Sequence, residues 1–134
     1  MVSDDFTRVW SKLTREWKLT LEQSLAPLTE GQLGVLELLL QHEPMKPSDL
    51  LQYLSTTPAA ITTLLDRMER NELIVRTRDE SDRRIVWVTV TEKGKAETQR
   101  GLEVRSKVIE QSLDRISAHN QQLLVYLLGK VANM

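Results

Sequence analysis

The chain of 134 residues contains no cysteine, four prolines and few aromatic residues (4%). Without cysteine, the protein has no disulfide framework, no thiolate metal site and no cysteine redox sensor. Its apolar residues are scattered, and no stretch approaches the roughly 18 consecutive apolar residues of a membrane-spanning helix. Charged residues among the first twenty, including Asp4 and Arg8, exclude a signal peptide. We therefore expect a cytoplasmic protein without a membrane partner.

Neither sign of charge is in excess. The 18 basic and 19 acidic residues give a net charge of −1 and a pI of about 6.1. Nucleic-acid-binding domains often have a high pI, which is the electrostatic footprint of their partner. Because this chain does not, an interpretation as a DNA-binding protein has to rest on local geometry.

Patterns that indicate catalysis are also missing. The sequence has no glycine-rich phosphate loop, no metal-ligand spacing and no histidine with the partners of a catalytic triad. Its two histidines, His42 and His119, are too few for a metal site. We therefore expect a protein that is not an enzyme and has no cofactor or metal.

The hydrophobic pattern of the first 54 residues predicts three helices. Apolar residues lie three or four positions apart from Phe6 to Leu21, as on one face of a helix that ends near Pro27. Thr29 and Gln32 form a capping-box pattern, which begins a second helix that reaches about residue 41. Four leucines of the second helix are expected to face inward, namely Leu33, Leu36, Leu39 and Leu40. A proline at position 47 suits the start of a short third helix.

A fourth helix is predicted from Pro58 to about Arg70. Thr57 supplies a capping hydroxyl, and the proline that follows loses no needed N–H group. Asn71 is expected to take the left-handed conformation that ends a helix.

The period of the pattern changes after the fourth helix. Two runs rich in β-branched residues, 73–78 and 85–90, predict a β-hairpin. Thr91 and Ser117 are predicted to cap two further helices, which reach about residues 116 and 131. Two short helices followed at once by a hairpin indicate a winged helix-turn-helix. The expected fold class is mainly α with a small β-hairpin wing, flanked by amino- and carboxyl-terminal dimerisation helices.

The fourth helix has an apolar face and an opposite face of small residues. The second helix of such a pair lies in the major groove and presents its amino-terminal side chains to base edges. Small side chains allow a close approach, and threonine and alanine methyl groups can contact thymine methyl groups. The expected DNA contacts of this helix are Thr57, Ala59, Ala60, Thr62, Thr63 and Arg67. The alternative is an ordinary surface helix, which would more often carry Lys, Glu or Gln on its outer face.

Arginines are concentrated in the hairpin. An arginine on a wing can enter a narrow minor groove, where the negative potential is enhanced. The expected DNA contacts of the wing are Arg76, Arg78, Asp82, Arg83 and Arg84, with Asp82 holding an arginine in one orientation. The alternative is a solvated turn whose carboxylates merely neutralise the arginines, and the charges alone do not decide between the two.

The segment from Asp82 to Thr91 resembles the wing signature of the MarR family of bacterial transcription regulators. In that family an Asp, any residue, an Arg, five residues and then Leu-Thr close the wing. This chain matches at Asp82, Arg84 and Thr91, with Val90 in the leucine position, and Gly94 falls where the family has a glycine. The resemblance implies that Arg84 reaches the minor groove, that Asp82 positions it and that the neighbouring Arg83 touches phosphate.

The resemblance covers nearly the whole chain. Residues 60–69 are similar to the recognition helix of the family, and residues 29–40 to its second helix. Thr63 stands where many members carry an arginine, which implies a weaker or differently distributed reading of bases. Glu72 stands where a glycine usually ends the helix, and a left-handed Asn71 would compensate.

The terminal helices carry more apolar residues than a small winged-helix core can bury. A two-fold dimer through both termini is the economical arrangement, and the resemblance implies the same dimer. The expected interface residues are Phe6, Trp10, Leu13, Ile109, Leu124, Leu127 and Leu128. We expect one domain over residues 1–134, with a DNA-binding lobe at about 29–91 and dimerisation helices at about 4–28 and 92–134.

The resemblance also implies a small aromatic effector between the dimerisation helices and the DNA-binding lobe. Trp10, Trp17 and His42 are the candidate pocket residues. The alternative, which the helical spacing favours, is that both tryptophans are packing residues. His42 would then interact with free carbonyl groups at the end of its helix.

Together these features predict a homodimeric transcription regulator, expected to be a repressor, that binds double-stranded DNA at a palindromic operator. The alternative is a winged-helix module that binds another protein and no specific DNA. The near-neutral charge of the chain keeps this alternative open.

Overall fold

The computed structural model describes residues 1–134 and contains six helices and one two-stranded sheet. The helices are α1 (Val2–Leu25), α2 (Glu30–His42), α3 (Pro47–Leu50), α4 (Pro58–Arg70), α5 (Glu92–Leu113) and α6 (Ala118–Val131). Strands β1 (Ile74–Arg78) and β2 (Val86–Val90) form an antiparallel hairpin between α4 and α5. This order confirms the predicted mainly helical fold with a hairpin wing. None of the six helices combines the length and the apolar composition needed to cross a membrane.

Four of the predicted helix starts are confirmed by their caps. At α2 the capping box is complete, with the Gln32 N–H 3.1 Å from Thr29 Oγ1 and the Thr29 N–H 3.2 Å from Gln32 Oε1. Thr57 caps α4, Thr91 caps α5 and Ser117 caps α6, each accepting a backbone N–H three residues ahead. These bonds satisfy donors that have no partner within the helix.

The end of α4 differs from the prediction. Asn71 has φ −82° and is not left-handed, and Glu72 takes that conformation, with φ 63°. The Glu72 N–H donates to Glu69 O and the Leu73 N–H to Met68 O, which is the hydrogen-bond pattern of a Schellman motif with Glu72 at its left-handed position. The position of the left-handed residue is set by where the helical hydrogen bonds end. This constraint outweighs the preference of asparagine for the left-handed conformation.

The compact unit from Glu22 to Glu103 contains the winged-helix elements. Its core is apolar and fully buried, and includes Leu25, Leu33, Leu36, Leu39, Leu50, Ile61, Leu65, Met68, Ile74 and Val88. The prediction that Leu40 faces inward is wrong, since 38% of this residue is exposed while Val35 is fully buried. Leu40 follows Leu39 and is turned about 100° away from it around the helix axis.

Within the same unit, β2 has a neighbour on its outer edge. The register pairs Ile74 with Val90 and Arg76 with Val88. Val88 also exchanges two backbone hydrogen bonds with Met45, at 2.8 and 3.3 Å. The base of the hairpin is therefore bonded to the segment between α2 and α3.

The second compact unit consists of residues Met1–Leu21 and Val104–Met134. Trp17 Nε1 donates to Ser112 Oγ at 2.9 Å within this unit, and an ion pair joins Glu16 to Arg115 at 3.8 Å. No residue of α6 is buried in the single chain. The exposed apolar residues of α6 include Leu123, Leu124, Leu127 and Val131. The boundaries of this division differ from the predicted lobe at 29–91, which stays a prediction.

Candidate nucleic-acid interface

The amino-terminal half of α4 presents small side chains to solvent. The face opposite the buried Ile61, Leu65 and Met68 is exposed, and it includes the predicted contacts Thr57, Ala59, Ala60, Thr62, Thr63 and Arg67. The hydroxyl groups of Thr62 and Thr63 donate to the carbonyl oxygens four residues earlier, at 3.0 and 3.1 Å. Each of these hydroxyl protons is already bonded, so the oxygens are left as acceptors on this face.

An open groove of about 600 Å³ runs along one flank of α4. Ala60, Thr63 and Arg67 of α4 line one side, and Gly31 and Gly34 of α2 line the other. An added Cβ at Gly34 would meet no atom within 4 Å. This flank of α4 is therefore left uncovered by the rest of its unit.

Asp79 organises the tip of the hairpin. Its Oδ2 accepts the backbone N–H groups of Ser81 and Asp82 at 3.0 and 2.9 Å, and its Oδ1 accepts the Trp87 indole N–H at 3.0 Å. The bond from Trp87 lowers the pKa of Asp79 most, followed by the backbone bond from Asp82. The polar tip is therefore a hydrogen-bonded turn and not a loose loop.

Asp82 binds the side chain of Arg84 at this tip. The guanidinium donates from Nε to Oδ1 at 3.0 Å and from Nη2 to Oδ2 at 2.9 Å, and the Arg84 backbone N–H also reaches Oδ1. These bonds lower the pKa of Asp82 and raise that of Arg84. The Arg84 side chain is nevertheless 90% exposed. Asp82 thus fixes the orientation of the Arg84 guanidinium while leaving it exposed to solvent.

The other three arginines of the predicted wing site lie in different surroundings. Arg83 is exposed at the tip, and its carbonyl oxygen accepts a hydrogen bond from Arg78 Nη1 at 2.8 Å. Arg76 lies at the base of the hairpin, where its guanidinium is 2.8 Å from Asp66 and 2.9 Å from Glu69 of α4. Arg83 and Arg84 therefore project at the tip, whereas Arg78 is bonded to the tip loop and Arg76 to α4.

Sequence reasoning did not identify the carboxylates that bind the arginine at the base of the hairpin, Asp66 and Glu69, or the Trp87–Asp79 bond. The one available signal was the pair of acidic residues seven and ten positions before Arg76, which becomes informative only once the chain reverses after α4.

The candidate effector residues have separate contacts. In the unit of the terminal helices, Trp10 stacks on Phe6 with ring centroids 5.8 Å apart, and Trp17 donates to Ser112. Phe6 and Trp10 remain 46% and 42% exposed in the single chain, so their stacking does not decide between the pocket and the packing alternative. In the winged-helix unit, His42 stacks on Tyr53 at 5.0 Å, a contact that the sequence pattern did not predict.

A helix pair with an exposed face on α4, followed by a hairpin that presents exposed arginines at its tip, defines a winged helix-turn-helix protein of the DNA-binding class. Comparison with known proteins agrees: residues 28–86 match the model of the MarR family. The chain is 29% identical over 98 residues to the HTH-type transcriptional regulator YwhA of Bacillus subtilis, covering 73% of this chain and 70% of that protein. It is 28% identical over 105 residues to the HTH-type transcriptional repressor MdtR of the same organism, covering 78% and 68%.

A solved structure of a mutant MarR from Escherichia coli in complex with operator DNA is 25% identical, with a TM-score of 0.75, covering 95% of this chain and 93% of that one. The segment 28–86 is therefore similar to the MarR family, and the fold of the chain is that of the solved MarR structure. It has a winged helix-turn-helix fold, and the relatives YwhA and MdtR are named as a transcriptional regulator and a transcriptional repressor.

Proposed function

We propose that the protein is a repressor of transcription that binds a palindromic operator as a homodimer. The observation that carries the proposal is the pairing, in one unit, of the exposed small face of α4 with an Arg84 that Asp82 holds at the hairpin tip. The helix suits the major groove and the arginine suits the adjacent minor groove. The relative MdtR is named as a repressor, which favours repression over activation.

In this proposal the contacts divide between the two elements. On α4, Thr57, Ala59, Ala60, Thr62, Thr63 and Arg67 approach bases and phosphates in the major groove. On the hairpin, Arg84 enters the minor groove and Arg83 contacts phosphate. Arg76 and Arg78 contribute by holding the wing, because the Arg76 guanidinium is bonded to α4 and the Arg78 guanidinium to the Arg83 carbonyl oxygen at the tip.

The proposed dimer covers the apolar surface of the terminal helices. The residues assigned to it are Phe6, Trp10, Leu13, Ile109, Leu124, Leu127 and Leu128, which are exposed or half-buried in the single chain. A two-fold dimer would place two copies of α4 about 34–36 Å apart, which is one turn of DNA. Two modest half-site contacts then act together, so that tight binding does not require an excess of basic residues.

Release of the operator is proposed to follow binding of a small aromatic effector. A titration of operator-bound protein with small aromatic and phenolic acids tests this part. Loss of the DNA complex at a saturable ligand concentration supports it, whereas a complex that persists at every concentration counts against it.

Selection of bound duplexes from a random pool tests the proposed function. We expect two inverted half-sites one helical turn apart, since a two-fold protein selects a two-fold site. A protein-binding winged-helix module would enrich no sequence. A single unpaired half-site would contradict the proposed dimer.

A further inference from the structure

Arg76 connects the wing to the recognition helix. It lies on β1, and its Nη2 atom is 2.8 Å from an Asp66 oxygen and 2.9 Å from a Glu69 oxygen on α4. The second oxygen of Glu69 accepts the backbone N–H of Arg76 at 3.1 Å. One glutamate therefore binds both the main chain and the side chain of a single strand residue.

These bonds anchor one edge of the hairpin base. On the opposite edge, Val88 of β2 exchanges two backbone hydrogen bonds with Met45. Arg76 and Val88 are paired in the register, so the contacts to Glu69 and to Met45 hold the two strands at the same residue pair. The tip, which carries Arg84, extends beyond this pair.

The ion pairs around Arg76 are partly shielded from solvent. The Arg76 side chain is 27% exposed, and charge-assisted bonds of an arginine to carboxylates are among the stronger hydrogen bonds in proteins. The bonds from Arg76 lower the pKa of Glu69, and the bond to Glu69 is the main cause that raises the pKa of Arg76. A guanidinium held by two carboxylates is poorly available to a phosphate.

Two carboxylates on a recognition helix would by themselves repel DNA, and here both are bonded to Arg76. We propose that Glu69 is a positioning residue that, through Arg76, fixes the wing relative to α4 so that both elements fit one DNA site together. The inference rests on the proposed function. It assigns to Arg76 a role in holding the wing in place of the direct DNA contact expected from the sequence.

The substitution Glu69→Gln tests the inference by the sign of its effect on DNA affinity. Removal of a negative charge near DNA strengthens binding if charge alone matters. Loss of a positioning contact instead weakens binding, by about tenfold for a bond of about 1.4 kcal/mol. The matched control is Glu97→Gln, which removes the same charge from the Arg100 ion pair of α5, outside the proposed interface. Affinity for the selected duplex is measured for both variants.

A double-mutant cycle with Arg84→Ala shows whether Glu69 acts through the wing. If it does, Glu69→Gln costs much less affinity in a protein that has already lost Arg84. The variant Arg76→Lys keeps the charge but loses the paired geometry, and it is expected to weaken DNA binding as Glu69→Gln does. If the Glu69→Gln protein does not fold, the DNA affinity of Arg76→Lys tests the inference in its place.

The inference would be overturned if the folded Glu69→Gln and Arg76→Lys proteins bound DNA as tightly as the parent or more tightly. It would also be overturned if Glu69→Gln cost as much affinity in the Arg84→Ala background as in the parent. Either result would leave the proposed function standing. A parent chain that binds no duplex would overturn the proposed function and this inference with it.

Discussion

The two compact units of the chain use their apolar residues differently. In the winged-helix unit, leucines such as Leu33, Leu36 and Leu50 are fully buried within one chain. In the unit of the terminal helices, α6 has no buried residue, and Leu127 is half exposed. The first unit therefore completes its own core, whereas the second carries an apolar surface that the proposed dimer would cover. The division suggests that DNA contact and assembly are separable by substitution.

The largest effect is expected from Leu127→Asp in α6. A charge buried without a partner is costly, so this substitution should dissociate the proposed dimer and abolish tight operator binding. Light scattering measures the mass. The control Val125→Asp places the same charge on the same helix, outside the predicted interface, and should remain dimeric. A Leu127→Asp protein that is still dimeric would show that the interface lies elsewhere.

A core substitution in the winged-helix unit should lower stability without changing assembly. Leu65 of α4 is 1% exposed, and Leu65→Ala is expected to reduce the free energy of unfolding by about 2–5 kcal/mol. Chemical denaturation measures the loss. Thr63→Ala on the exposed face of the same helix provides the comparison, and a similar loss there would contradict the assignment of the two faces.

Arg84→Ala should affect DNA binding alone. The side chain is 90% exposed and bonded only to Asp82 and its own loop, so the melting temperature and the dimer should be unchanged. Affinity for the operator should fall by about tenfold, the equivalent of about 1.4 kcal/mol. If affinity is unchanged in a folded dimer, the wing does not take part in binding.

The smallest expected effect is a loosening of the hairpin tip at low pH. The pKa of Asp79 is lowered in the folded protein, first by the Trp87 hydrogen bond, and that of Asp82 is lowered by Arg84. A lowered pKa stabilises the fold above the unfolded value of about 3.9, and this contribution is lost as the pH falls through the folded value. Trp87 fluorescence should therefore report loosening of the tip only below about pH 4. A transition near neutral pH would contradict the assignment.

Local rules predicted most of the fold. The helix caps at Thr29, Thr57, Thr91 and Ser117 depend on residues three positions apart, which the sequence displays directly. The hairpin followed from the change of period. Near the tip, Asp82 and Arg84 are two residues apart, so their contact was also within reach of sequence reasoning.

Features that depend on tertiary packing were not predictable. Arg76 meets Glu69 only because the chain reverses after α4, and the sequence pattern placed Arg76 among free wing cations. Leu40 belongs to an apolar run, but the position of the α2 face relative to the core leaves it exposed. His42 at the end of α2 meets Tyr53, which follows α3, and no periodicity encodes this contact.

The central claim is that a two-fold pair of chains grips duplex DNA with α4 and the Arg84 tip. Its most direct test is the affinity of the full chain for the selected duplex, measured as a function of salt together with the number of chains bound. The account predicts two chains per duplex and an affinity that falls steeply and linearly on logarithmic axes, because phosphate contacts release counterions. One chain per duplex, or a weak affinity that salt hardly changes, would contradict it.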